Sequence, residues 1–172
     1  RGVEHLRSSG HVMIVSNHAS MADAAFLLAA LPMDIQFVAH HASAQYPILG
    51  LAVRRASYFI VDRSSRRSQA ACAAAMVEAL TTEQSLLVFP EGTTADAGGM
   101  LPFRSGAFRA AVQSRRPVVP IVLKGTRGMF PSSGLLRRTA IDIDVLPPIQ
   151  VVGEGREAVA ALRDAAAAAI AA

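Results

Sequence analysis

Cysteine, tryptophan and lysine are almost missing from this chain of 172 residues, which has one cysteine, no tryptophan and one lysine. A single cysteine, Cys72, excludes an internal disulfide, fits a reducing environment, and reads in its Ala-rich surroundings as a small buried apolar side chain. No uninterrupted apolar run approaches the ~18 residues of a bilayer-spanning helix. The longest candidate, 24–33, is short enough to be a buried helix. The first ten residues carry Arg1, Glu4, His5 and Arg7 and no apolar stretch, so they do not form a secretory leader. Opening on Arg1 rather than a methionine suggests a domain from a longer chain. Aromatics are only 5% of the residues, so no basic patch is interleaved with stacking rings, and no nucleic-acid motif is present. Nucleic acid is therefore not an expected partner.

What remains can bury a core: 52% of residues are hydrophobic and 17% charged. The net charge of +4 suits an anionic lipid surface or a phosphorylated substrate, or is ordinary solvated charge. Short β-branched runs alternate with longer Ala/Leu-rich runs, which predicts an α/β class with a central, mostly parallel or mixed sheet flanked by helices. Strands are expected at 11–16, 35–39, 58–61, 85–89, 118–123 and 141–145. The last alternates Ile141, Ile143 and Val145 with Asp142 and Asp144 and belongs near a sheet edge. Helices are expected at 20–31, 47–54, 65–80, 105–114 and from Glu154 onward, with the Ala-rich tail after Asp164 prone to fray. No repeat or linker divides residues 1–172, so one domain is expected.

Four clusters carry possible chemistry. The first follows the first strand: Asn17-His18-Ala19-Ser20-Met21-Ala22-Asp23. His18 and Asp23 are five apart, a spacing that separates them on a continuous helix or strand. They can meet only if His18 lies in the turn and Asp23 in the first helical turn. Ser20 and Asp23 form an S-x-x-D pattern that resembles a capping box and would start the helix at Ser20. Asp23 is then a cap, a carboxylate that orients the imidazole, or both.

Phe89-Pro90-Glu91-Gly92-Thr93-Thr94 ends a strand in a Gly-containing turn, where open α/β sheets bind ligands or simply change direction. Tyr58-Phe59-Ile60-Val61 runs into Asp62-Arg63, and Arg63 is either a bidentate phosphate contact or a partner of Asp62. Val118-Val119-Pro120-Ile121-Val122 places a proline inside a strand, which implies an edge, a bulge or a special approach.

Taken in order, H-x4-D, the strand ending in Arg63, F-P-E-G-T and V-V-P-I-V resemble the lysophospholipid acyltransferase family, which includes 1-acylglycerol-3-phosphate and glycerol-3-phosphate acyltransferases. The resemblance covers 12–122 and extends to Pro47-Ile48-Leu49-Gly50 and Leu101-Pro102-Phe103-Arg104-Ser105-Gly106. It implies a glycerolipid acyltransferase-like fold and transfer of a fatty acyl group to a lysolipid hydroxyl, from acyl-CoA or acyl-carrier protein as co-substrate and without cofactor or metal. It further implies His18 as general base and Asp23 as its orienter. Arg63, Glu91, Gly92, Thr93 and Arg104 would lie around the acceptor head group, with Asn17, Ser20, Phe89, Pro90 and Pro120 in support. No G-x-S-x-G elbow is present, in keeping with an attacking hydroxyl that belongs to the lipid.

One departure concerns the charge that many relatives carry before the P-x-x-G segment, where this chain has His40-His41-Ala42-Ser43. The acceptor is thereby left open between a lysophosphatidate-like lipid and a lyso-ornithine or other lysolipid, and a non-catalytic lipid-binding domain is the reading from another class. Adjacent histidines rarely reach one ion together, so no metal site is assigned to that pair. The stretch 125–138 mixes Met129, Phe130, Leu135 and Leu136 with Arg127, Arg137 and Arg138. It either docks on a membrane surface, placing the protein on the cytoplasmic face, or folds back onto the core.

Overall fold

A computed structural model describes residues 1–40, 59–61, 65–95, 99–129 and 137–172. The expected 47–54 helix, Tyr58, Asp62, Arg63, His41 and the segment 130–136 lie outside the described residues.

The described elements are α1 (Glu4–Ser8), β1 (Met13–Ser16), α2 (Asp23–Ala30), β2 (Ile35–His40), β3 (Phe59–Val61), α3 (Arg66–Thr81), β4 (Ser85–Val88), α4 (Gly106–Ser114), β5 (Val118–Lys124), a 3-10 turn (Thr126–Met129), β6 (Asp142–Val145) and α5 (Gly155–Ala171). The strands form a mixed sheet in the order β3-β2-β4-β1-β5-β6. The first five run parallel, and β6 pairs antiparallel with β5 at the edge, as its alternating polarity predicts. No helix among the described residues is long and apolar enough to cross a membrane.

Strand β1 is buried along its whole length, because an interior parallel strand is covered on both faces. Its alternate side chains enter two cores. Met13 and Val15 join Leu86, Val118, Met76, Leu80, Phe108 and Leu162 on the face covered by α3, α4 and α5. Val12 and Ile14 join Leu87, Val119, Ile121 and Leu123 against Leu6 of α1 and Leu27 of α2. Leu27 has no exposed surface, so truncating it to Ala costs about 2–5 kcal/mol. Cys72 is buried on the α3 side.

Two local expectations are corrected, and at Pro120 one of the expected alternatives is found. Helix α2 begins at Asp23 rather than Ser20, with Ala22 as an N-cap whose side chain bonds nothing. Ser20 Oγ accepts from the Ala22 N–H at 3.3 Å, and the Ser20 carbonyl accepts from the Asp23 N–H at 3.1 Å, so 20–23 closes as a turn ahead of the helix.

Pro120 lies in an interior strand and is buried. Its carbonyl accepts from Leu146 N–H at 2.9 Å, and the partner segment gains one residue here, since Ile121 pairs with Val145 but Val118 with Ile149, so the N–H that proline lacks falls at a bulge. The Ala-rich tail is helical and packed rather than loose. Helix α5 continues to Ala171, with Ala158, Leu162, Ala166 and Ile170 at i+4 spacing forming a stripe against the sheet.

The connection from β1 leads to β2, on the far side of β4, whereas the connection from β4 leads to β5, on the far side of β1. Adjacent strands whose crossovers depart in opposite directions leave a crevice at their carboxyl ends. His18 follows β1 and Glu91 follows β4. Both therefore emerge at that crevice.

Candidate active site

Strand β1 hands over to a side chain at its end. Asn17 Nδ2 donates to the Leu123 carbonyl at 2.9 Å, and Leu123 N–H donates to Asn17 Oδ1 at 2.8 Å. This two-bond clamp extends the β1–β5 pairing by one residue while freeing the backbone to turn, and His18 begins that turn.

The Asp23 carboxylate organises the turn from below. Its Oδ2 accepts from Ala19 N–H at 2.6 Å and Ser20 N–H at 2.8 Å, and lies 3.0 Å from His18 Nδ1. A carboxylate facing Nδ1 favours the imidazole tautomer that donates from Nδ1, which makes Nε2 the accepting nitrogen of the neutral ring. Asp23 is 0% exposed, while the His18 side chain keeps 16% of its surface open. No described residue hydrogen-bonds Oδ1, so the accepting load falls on Oδ2.

Two further contacts hold His18. Its ring stacks on Phe89, with centroids 4.2 Å apart and planes 11° from parallel. Its backbone N–H donates to Glu91 Oε1 at 2.7 Å. The other carboxylate oxygen, Oε2, accepts from Leu101 N–H at 2.6 Å. Glu91 is 3% exposed, and both of its oxygens are thus committed to backbone donors. It ties the β1 turn to the segment before α4.

Gly92 takes φ +82°, a left-handed conformation that glycine reaches without steric cost, and its N–H donates to the Phe89 carbonyl at 3.1 Å to close the turn. Thr93 is exposed beyond it, and Pro90 is buried within it. Arg104 donates its backbone N–H to the Pro90 carbonyl at 2.9 Å and its Nε to the Glu91 carbonyl at 3.5 Å, leaving an exposed guanidinium on this turn. The structure therefore brings Asn17, His18, Ser20, Asp23, Phe89, Pro90, Glu91, Gly92 and Arg104 into one assembly. Pro120 sits back in β5, opposite Val15 in register, and Arg63 lies outside the described residues.

A cavity of about 350 Å³ opens beside this assembly, lined by Asn17, His18 and Glu91 together with Lys124, Arg127 and Ile170, among others. Lys124 and Arg127 belong to no motif, although the only lysine in the sequence falls at the end of a strand. A larger cavity of about 640 Å³ lies at the amino ends of the strands, between Leu6, His11, Pro32, Gln36 and Gln84. Parallel strands carry their functional turns at the other end, and none of the described motif residues lines this second cavity. Among the described residues, no three His, Cys, Asp or Glu side chains are grouped to share a metal ion.

Comparison with known proteins places these features in a family context. The family model described as Acyltransferase matches residues 1–124. A 1-acyl-sn-glycerol-3-phosphate acyltransferase of Limnanthes alba is 34% identical over 155 residues, covering 87% of this chain and 53% of the relative. The human 1-acyl-sn-glycerol-3-phosphate acyltransferase alpha is 31% identical over 166 residues, covering 95% of this chain and 59% of the relative. The chain thus spans about half the length of the curated relatives it matches. In fold, it is similar to the crystal structure of the 1-acyl-sn-glycerophosphate acyltransferase from Thermotoga maritima, with a TM-score of 0.76 and 23% identity over 99% of this chain and 67% of that one.

Proposed function

The chain belongs to the acyltransferase family that includes the lysophospholipid acyltransferases, and from that premise we propose that it moves a fatty acyl group from a thioester to the hydroxyl of a lysophosphatidate-like acceptor. The observation that carries this reading is the His18–Asp23 pair at the carboxyl edge of the sheet, with Nδ1 bound to the buried carboxylate and His18 in the wall of the cavity.

In the proposed reaction His18 Nε2 takes the proton of the acceptor hydroxyl as its oxygen attacks the thioester carbonyl. A C–O bond forms, the tetrahedral intermediate collapses, and the C–S bond breaks. The thiolate of acyl-CoA or acyl-carrier protein leaves and takes the proton from Nε2 to become the free thiol, which restores the base. The buried Asp23 carboxylate balances the imidazolium while that proton is in transit. No enzyme nucleophile is required, because the attacking oxygen comes with the acceptor and the thioester is already activated. Positioning and a base worth roughly 10²–10⁴-fold supply the rate. Both substrates carry acyl chains, which favours a crevice facing a membrane, on the cytoplasmic side where these thioesters are available.

The test is thiol release from acyl-CoA by the purified chain, with and without lysophosphatidate. Release that depends on the acceptor is expected, and it should disappear in His18→Ala. Acceptor-independent release would make the protein a thioester hydrolase instead. No release at all would leave it a lipid-binding domain.

A further inference from the structure

The transfer cavity has a wall that the motifs do not explain. Besides His18 its lining includes two cations, Lys124 and Arg127. Three separate anchors set them there. The Asn17 clamp on Leu123 fixes the point at which Lys124 leaves the sheet, one residue from the clamp on β5, as His18 is one residue from it on β1. Gly125 at φ +92° then passes so close to the β6 approach that a Cβ would lie 1.9 Å from the Ala140 carbonyl oxygen. Finally, Arg127 Nη1 donates to the Ala95 carbonyl at 2.6 Å, which holds the guanidinium by one donor and leaves four.

Among the described residues, no ion pair joins either cation to a carboxylate. Asp142 lies opposite Lys124 in the β5–β6 register, yet no ion pair joins them among the described residues. The Glu91 carboxylate also lines the cavity, but its oxygens are held by backbone N–H groups and it makes no ion pair with Lys124 or Arg127 among the described residues. Asp23 is fully buried behind His18.

We infer that Lys124 and Arg127 form a phosphate clamp for a substrate of the reaction at His18. Two cations match the −1.5 to −2 charge of a phosphate monoester near neutral pH, roughly, whereas a carboxylate would leave one of them unbalanced. A compact ammonium and an anchored planar guanidinium together suit tetrahedral oxygens, and the partial anchoring reduces the ordering cost of binding. A cavity of about 350 Å³ is within the range of small-ligand sites. The phosphate could be that of the acceptor head group or that of the CoA donor.

This inference rests on the acyl-transfer reading, so its test has one arm that needs no turnover. Lys124 is the chain's only lysine. Reductive methylation with ¹³C-formaldehyde therefore labels Lys124 and the α-amino group alone, and both keep their charge. Titration with glycerol 3-phosphate should shift the Lys124 signal saturably and leave the α-amino signal in place. Arg127→Gln should weaken that titration about tenfold, the scale of one charge-assisted hydrogen bond. A Lys124 signal that does not move overturns the clamp, whether or not the protein transfers acyl groups.

The kinetic arm compares Lys124→Gln and Arg127→Gln with Arg156→Gln, an exposed control at the start of α5. A rise in KM of about tenfold for lysophosphatidate, with acyl-CoA unaffected, places the acceptor's phosphate in the clamp. A rise for acyl-CoA that is absent with acyl-pantetheine places the donor's phosphate there. Unchanged KM for both substrates overturns the inference. Saturable phosphate binding in a wild-type chain that transfers nothing would uphold the clamp and reject the transferase reading.

Discussion

Asn17 and Leu123 exchange two hydrogen bonds, 2.9 and 2.8 Å long, between a side-chain amide and a strand backbone 106 residues away. The amide has a donor and an acceptor in the positions a paired strand residue would offer, so it prolongs the sheet past the point where β1 turns to present His18. Asn17→Asp keeps the size but sets a second carboxylate oxygen against the Leu123 carbonyl. We expect a loss of about 1–3 kcal/mol in urea unfolding, with Asn17→Ala in the same range. An unchanged midpoint in both variants would show that the clamp does not stabilise the turn.

Glu91 offers the complementary case. One oxygen accepts from His18 N–H and the other from Leu101 N–H, and the carboxylate is almost completely buried. Glutamine has the same shape but only one accepting oxygen, so its NH₂ group must face an N–H donor. Glu91→Gln should therefore lose about 2–4 kcal/mol in stability and depress thiol release, since the His18 backbone is one of the freed donors. Melting and activity should fall together. If turnover fell with stability intact, Glu91 would instead be touching substrate.

Much of this architecture was legible in the sequence because its signals are local. The run MIV in β1 has to be buried on both faces, and Ile143 and Val145 alternating with Asp142 and Asp144 mark an edge. H-x4-D already required a turn at His18. Other features were not legible, for they depend on partners distant in sequence. Nothing in F-P-E-G-T says that Glu91 will spend both oxygens on backbone donors, one of them ten residues downstream. Asp23 takes the Ser20 N–H as a capping carboxylate would, but it also takes Ala19 N–H and the His18 imidazole, and a spacing rule for caps contains neither. Alanine content hid the i+4 stripe that ends at Ile170, and Lys124 belongs to the cavity only because β5 lies beside β1.

Gly125 gives a prediction about the cavity wall that involves no charge. Alanine there would combine an unfavourable φ of +92° with a Cβ 1.9 Å from the Ala140 carbonyl oxygen. The backbone must move, since the obstacle is not a flexible side chain. Gly125→Ala should lower stability by about 2 kcal/mol or more and displace Lys124. By contrast Gly10→Ala, also at positive φ but with nothing within 4 Å, should cost about 1–2 kcal/mol from backbone strain alone. Equal losses at the two positions would show that close approach to Ala140 contributes nothing.

The final prediction concerns whether His18 and Asp23 act as one unit. Asparagine at 23 can still present an oxygen to Ala19 and Ser20 N–H and to His18 Nδ1, so the turn should survive. It cannot supply the negative charge that steadies an imidazolium. Asp23→Asn should therefore lower kcat by about 10²–10⁴-fold with circular dichroism unchanged, and His18→Ala should lower it at least as far. Residues that serve a single proton transfer are not additive, because once the base is gone its orienter has nothing to orient. The double variant should thus turn over no more slowly than His18→Ala alone. Losses that multiplied in the double variant would mean that Asp23 works on the substrate by a route that does not pass through the imidazole.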